Sequence, residues 1–180
     1  MRYNAVVDRK LQIIKNPSDI DTIACLYYAL KSCRRIDDIF DGHDLLWFLD
    51  QFNQRQSYLC VNHQGIAGFG LVNNWGSDYV RCEMSFGFLP TCGGRDAVRL
   101  GKMMMKDVFQ SEIRVKYAYG TTPSRNQLAV KYAKLLGMSI VGKIPNYLSF
   151  HGKIDDAVMS YIERETVLGR ESKDCTNQPA

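Results

Sequence analysis

Hydrophobic positions recur along the chain at two different periods, and the switches between them outline a fold. Residues 11–15 form a short strand candidate that stops at Asn16-Pro17, where Asn can cap a helix and Pro can enter its first turn. Ile20, Ile23, Ala24, Tyr27 and Leu30 then repeat at helical spacing, which predicts a helix with one apolar stripe turned to a core. The mixed-charge segment KSCRRIDDIFDGHD reads as a loop, and a second helix follows with Leu45, Phe48, Leu49 and Phe52 on one side.

The period then shortens to two. Strands over 57–62 and 66–73 meet at the His63-Gln64-Gly65 turn, and the turn-rich NNWGSD leads to a third antiparallel strand over 79–89. On that strand Val80, Cys82, Met84, Phe86 and Phe88 share one face, whereas Arg81, Glu83, Ser85 and Gly87 share the other. A glycine turn, TCGGRDA, opens a helix whose packed face carries Ala97, Leu100, Met104, Met105 and Val108 and which runs to about Phe109. The strand over 115–120 can then lie parallel to 79–89 through a right-handed crossover. A helix over 126–136 ends at Gly137, and strands over 139–143 and 157–162 flank the connection IPNYLSFHGKID. Residues 1–167 read as a single domain and 168–180 as a polar, flexible tail.

Composition narrows the class. At 180 residues, 46% hydrophobic and 23% charged, one domain can bury its own core without disulfides or a structural metal. Neither a signal peptide nor a long apolar run is present, which predicts a soluble, cytoplasmic protein without membrane contact. Six cysteines and three histidines show no ligand spacing, so no metal is expected. Cys25, Cys60 and Cys82 lie in apolar segments and read as small buried hydrophobes. The formal charge of +4 is small, and along the sequence the basic residues look dispersed rather than gathered into a stripe. Aromatic and basic residues are not interleaved on any strand, so nucleic acid is not an expected partner.

The most suggestive stretch for chemistry is 81–138. A strand that runs through glycines into a helix start aims backbone N–H groups and the positive helix end at one place, a natural seat for phosphates. Asn126 to Met138, NQLAVKYAKLLGM, resembles the asparagine-led helix of the GNAT superfamily of N-acetyltransferases, and the element order over roughly 10–165 is similar to that family. The tail VGKIPNYLSFHGKIDDAVMSYIERE is similar to a subset of GNAT-like proteins of bacteriophages. The resemblance implies an α+β fold: a central mixed, mostly antiparallel sheet of six to seven strands flanked by about four helices.

The resemblance also implies acetyl-coenzyme A as cofactor and direct attack on its thioester by a primary amine. The acceptor would be a protein lysine or N-terminus, a host protein if the chain is phage-encoded, or a small amine; a homodimer is compatible with it. The pyrophosphate would sit at Cys92, Gly93, Gly94, Arg95, Asp96 and Ala97. The pantetheine arm would pair with backbone near Phe86, Gly87, Phe88 and Leu89, and Thr121 and Asn126 would contact the cofactor from the other side.

Glu83, on the strand face away from Phe86 and Phe88, is the candidate base. A lysine amine is only about 0.1% neutral near pH 7.4, a handicap of roughly 4 kcal/mol that a base or a desolvating site must offset. Two departures from the family stand out. The phosphate loop reads PTCGGRDA instead of Arg/Gln-x-x-Gly-x-Gly/Ala, and the slot seven residues after Asn126 that usually holds the acid tyrosine is Ala133. Tyr132 and Tyr147 are the substitute candidates for that acid. The alternative reading is a GNAT-fold binding or virion-associated protein with weak or absent catalysis. The KSCRRIDDIFDGHD loop is then a candidate wall of the acceptor site.

Overall fold

The computed structural model describes residues 11–33, 43–73, 75, 80–150 and 153–169. Seven strands form one sheet in the order β1-β2-β3-β4-β5-β7-β6: β1 (Gln12–Lys15), β2 (Gln56–Asn62), β3 (Gly65–Asn73), β4 (Arg81–Phe88), β5 (Tyr117–Pro123), β6 (Ser139–Phe150) and β7 (Lys153–Glu163). Every neighbouring pair is antiparallel except β4 with β5. The described helices are α1 (Ile20–Ser32), α2 (Leu45–Gln54), α3 (Gly94–Ser111), α4 (Gln127–Leu136) and the short α5 (Arg164–Leu168). None of them is long and apolar enough to cross a membrane.

The sheet separates two hydrophobic clusters. Ile23, Leu26, Tyr27 and Leu30 of α1 pack with Phe48 and Phe52 of α2 onto Leu59, Phe69 and Leu71, which covers β2 and β3 on one face. On the other face Leu100, Met104, Met105 and Val108 of α3, with Ala133 and Leu136 of α4, pack onto Tyr58, Cys60, Cys82, Met84 and Ala118. The alternation along β4 decides which side chain joins which face, because successive residues of a strand point to opposite sides. Cys82 and Met84 are therefore buried under α3, and Phe86 and Phe88 pack beside them.

Several expected boundaries shift. The connection expected between the last two strands is itself strand: β6 and β7 pair from Ser139/Tyr161 to Phe150/Lys153. Register shifts at Ile140/Gly142 and Ile144/Leu148 absorb Pro145 and Asn146, which takes φ 53. Such an irregularity is tolerated because β6 is an edge strand, where a proline removes no ladder donor. Helix α5 was not foreseen. Cys60 and Cys82 are buried as expected, whereas Cys25 is exposed, because its helix turns that position to solvent. Of the expected loop over 31–44, Lys31 and Ser32 continue α1, and of the expected tail over 168–180, Leu168 ends α5; residues 34–42, most of NNWGSD and the tail beyond 169 lie outside the described residues.

Candidate active site

Strands β4 and β5 pair at only three positions, Arg81/Tyr117, Cys82/Ala118 and Glu83/Tyr119. Beyond them β4 stays with β3 as far as Phe88/Gly68, and β5 stays with β7 as far as Pro123/Ala157. The two strands part company between those partners. The fork opens from Met84 and Gly120. Gly120 sits at the last close approach: a Cβ there would stand 3.3 Å from the carbonyl oxygen of Met84.

Inside the fork β4 has an open edge. The Leu89 amide donates to the Ala67 carbonyl at 2.9 Å, and the Gly87 carbonyl also turns toward β3, against Gly68. Backbone groups alternate along a strand, so those of Phe86 and Phe88 face the fork. Of the four β4 candidates, these two offer backbone pairing to a guest; Gly87 and Leu89 are committed to β3.

The glycine turn meets the mouth of the fork through a turn closed by the Cys92 amide on the Leu89 carbonyl, 2.9 Å. Gly93 is the N-cap of α3 and has no side-chain capping bond. The first helical bond runs from the Ala97 amide to the Gly93 carbonyl at 3.0 Å, which leaves the amides of Gly94, Arg95 and Asp96 without an intrahelical acceptor. A Cβ on Gly93 or Gly94 would meet nothing within 4 Å, so this helix start is open to a ligand rather than shaped tightly around one. Asp96 lies in the first turn, where its charge favours the helix dipole and opposes a second anion. Cys92 is buried, and desolvation with Asp96 beside it pushes its thiol up to about 11, the opposite of an activated nucleophile.

Across the fork, Asn126 caps α4 by accepting from the Ala129 amide at 3.1 Å. A cleft of about 420 Å³ opens beside it, lined by Pro123, Arg125, Asn126, Gln127 and Leu128. Asp155 of β7 anchors this turn, accepting from Ser124 Oγ at 3.1 Å and facing Arg125 Nε at 3.5 Å.

On the sheet face opposite α3 the structure gathers Glu83, Tyr119 and Thr121, with Tyr147 near enough to act electrostatically on Tyr119. Thr121 Oγ1 donates to Glu83 Oε1 at 3.0 Å. Burial, then the charge of Glu83, raises the Tyr119 hydroxyl above its ordinary value; Arg81 opposes this and Tyr147 adds to it. Tyr147 is 56% exposed. A polar row continues to β3: Arg55 Nη1 donates to Asn73 Oδ1, and Asn73 Nδ2 donates to Ser85 Oγ at 3.2 Å.

Tyr132 is elsewhere. It lies on the α3 side between Phe86 and Phe88, with ring centroids 5.8 and 5.5 Å away, and its hydroxyl donates to the Ala97 carbonyl at 3.0 Å. Burial pushes that hydroxyl far up. On the same helix Leu128 and Leu135 are exposed, whereas Leu136 is buried. Sequence reasoning missed Tyr119, Arg55 and Asn73. The parity of Tyr117 and Tyr119 was readable, but its alignment with Glu83 depends on a parallel register that no local pattern encodes.

No protein-family model and no curated protein sequence matches the chain. Solved structures do. The ribosomal-protein-S5-alanine acetyltransferase from Vibrio fischeri superposes with TM-score 0.70 at 15% identity, over 87% of this chain and 93% of that one. An acetyltransferase from Salmonella typhimurium that modifies the N-terminal serine of ribosomal protein L7/L12 gives 0.72 at 11%, over 85% and 94%. A GNAT-family acetyltransferase from Bacillus anthracis gives 0.69 at 14%, over 87% and 96%. At these identities the likeness is one of fold. The chain has the seven-stranded mixed sheet and α+β architecture of the GNAT acetyltransferases.

Proposed function

We propose that the chain is an acetyl-coenzyme A-dependent N-acetyltransferase that passes the acetyl group to a primary amine within a ternary complex. The observation that carries this reading is the three-position pairing of β4 with β5, after which the two strands separate and the backbone of Phe86 and Phe88 faces the gap. A pantetheine arm is a strand-like guest with amide groups of its own, and an open strand edge satisfies it as a further strand would. The free amides of Gly94, Arg95 and Asp96 would receive the pyrophosphate, with Arg95 adding a charged contact. The cleft at Asn126 gives room on the other bank.

The cofactor would bring the activated acyl group; the chain's residues would orient it and manage protons. Glu83, held by Thr121, would take the proton from the incoming ammonium directly or through water, and a backbone N–H of β4 inside the fork would meet the thioester oxygen as charge builds there. Tyr147, near enough to Tyr119 to act on it electrostatically, is the tyrosine proposed to return a proton to the leaving thiolate. The engaged hydroxyl of Tyr132 fits a positioning role, fixing α4 against the start of α3.

A second reading has one observation in its favour. With Ala133 in the usual tyrosine slot and the Tyr132 hydroxyl bonded to Ala97, the fold would serve as a binding module without turnover. Thermal denaturation with acetyl-coenzyme A, coenzyme A and ATP, followed by mass spectrometry of acetylated amines, separates the two. Stabilisation by both coenzymes over ATP with acetylated product supports the enzyme. Stabilisation without product supports the binding module, and no stabilisation overturns both.

A further inference from the structure

Charges that look scattered along the sequence are aligned by helix α3. Arg95, Arg99, Lys102 and Lys106 are all exposed, and at steps of four, three and four residues they fall within an arc of about 60°. The stripe spans about 16 Å along the helix. Among the described residues none of the four joins an ion pair: the pairs present are Lys15 with Asp107, Arg114 with Glu112 and Arg125 with Asp155. Asp107, the one acid near the far end, is occupied by Lys15 at 2.9 Å and Tyr58 at 2.7 Å. Neighbouring α4 adds Lys131 and Lys134 and contributes no acid, so the two helices hold six basic and two acidic residues and account for a charge equal to the +4 of the whole chain.

We propose that this face of α3 is a docking surface for the phosphate backbone of a nucleic-acid duplex. A rigid row of four unpaired cations matches a rigid row of anions, and a duplex presents about five phosphates per strand over the same length. The surface lacks what other polyanions need. Protein interfaces place aromatic or apolar anchors at their centre; along the α3 stripe only Met103 is an exposed hydrophobe, at 36%, and the exposed Leu128 and Leu135 belong to α4 rather than to the stripe. Single strands are held by aromatic stacking, and no aromatic side chain lies on this face of α3. A membrane-surface helix inserts its apolar face, whereas Leu100, Met104, Met105 and Val108 of α3 are packed into the protein core. The contact is read as independent of base sequence, because these side chains meet phosphates rather than base edges. The stripe lies on the sheet face opposite Glu83, so a bound duplex leaves the amine side open.

The test is fluorescence anisotropy of a labelled 20-base-pair DNA duplex with the full chain, at 50 to 200 mM NaCl. With no coenzyme present, so that Arg95 is not engaged by a pyrophosphate, four phosphate contacts give a log-log salt slope of about −3.6, a loss of about 150-fold in affinity over that range. The triple variant Arg99→Gln, Lys102→Gln, Lys106→Gln spares Arg95 and should bring the slope to about −0.9. Its stabilisation by acetyl-coenzyme A should match that of the parent, which separates loss of this surface from failure of the cofactor site. No binding at 50 mM NaCl, an unchanged slope in the triple variant, or tighter binding to polyglutamate or to phosphatidylserine vesicles than to the duplex would each overturn the proposal.

Discussion

Thr121 on β5 donates to Glu83 on β4 at 3.0 Å; Glu83 stands at the last position at which those two strands pair, and Thr121 lies two residues beyond its partner Tyr119. The bond ties together the two banks of the fork at its apex and holds the carboxylate to one side of it. If Glu83 is the base, Glu83→Gln should lower kcat about 100-fold. Stabilisation by acetyl-coenzyme A should persist. Thr121→Val should cost several-fold in kcat with the KM for acetyl-coenzyme A unchanged. Steady-state kinetics with either substrate varied checks both, and an unchanged kcat in Glu83→Gln removes it from the mechanism.

The two tyrosines should separate cleanly. Tyr132→Phe removes a buried hydroxyl bonded to Ala97 and should lower stability by about 1 kcal/mol, with kcat per folded molecule near that of the parent. Tyr147→Phe, at a half-exposed position, should leave the melting temperature alone and lower kcat at least tenfold. The reverse pattern would assign the acid to Tyr132.

Two glycines are set by space. A Cβ at Gly68 would stand 2.3 Å from the backbone oxygen of Gly87, and one at Gly101 would stand 2.1 Å from the Tyr132 hydroxyl and 2.7 Å from Leu136 Cδ2. Gly68→Ala must shift backbone, and Gly101→Ala must push α4 away from α3, because the Tyr132 ring is held by Phe86 and Phe88. Each should cost about 1–3 kcal/mol in urea denaturation. Gly93→Ala, which meets nothing, should cost far less.

Thiol chemistry follows burial. Exposed Cys25 and Cys33 should react with Ellman's reagent in the native protein, and Cys60, Cys82 and Cys92 only on unfolding. Burial raises all three buried thiols, Cys92 to about 11 and Cys82 to about 12. A thiol raised in the folded state keeps its proton where the unfolded chain has released it. Its stabilising contribution is therefore whole below the ordinary value of 9.0 and is lost as pH rises through the folded value. The melting temperature should fall between pH 9 and 11, less steeply in Cys92→Ser.

How far the sequence reached depended on the range of the interaction. Periodicity placed α1, α2, α3 and α4 and the first five strands, because apolar spacing is a local property. The glycine stop at Gly137, with φ 95, and the Asn126 cap were legible for the same reason. The hairpin β6–β7 was cut short because Pro145 and Asn146 look like turn residues until an edge strand takes them up as a bulge. The meeting of Glu83 with Tyr119 and Thr121 rests on a parallel register across 28 intervening residues of crossover between β4 and β5, and nothing in either strand alone announces it. The basic stripe was hidden in the same way, since Arg95 and Lys106 become neighbours on a surface only once wound on a helix.

The central claim is that acetyl-coenzyme A lies in the fork between β4 and β5. Titration of isotope-labelled protein with acetyl-coenzyme A, followed by amide NMR, addresses it directly. The amides of Phe86, Phe88, Gly94, Arg95 and Asp96 should move together, saturating at one ligand per chain, whereas those of Gln12 to Lys15 on the far edge should stay in place. Saturable shifts confined to other surfaces, with the fork amides unmoved, would contradict it.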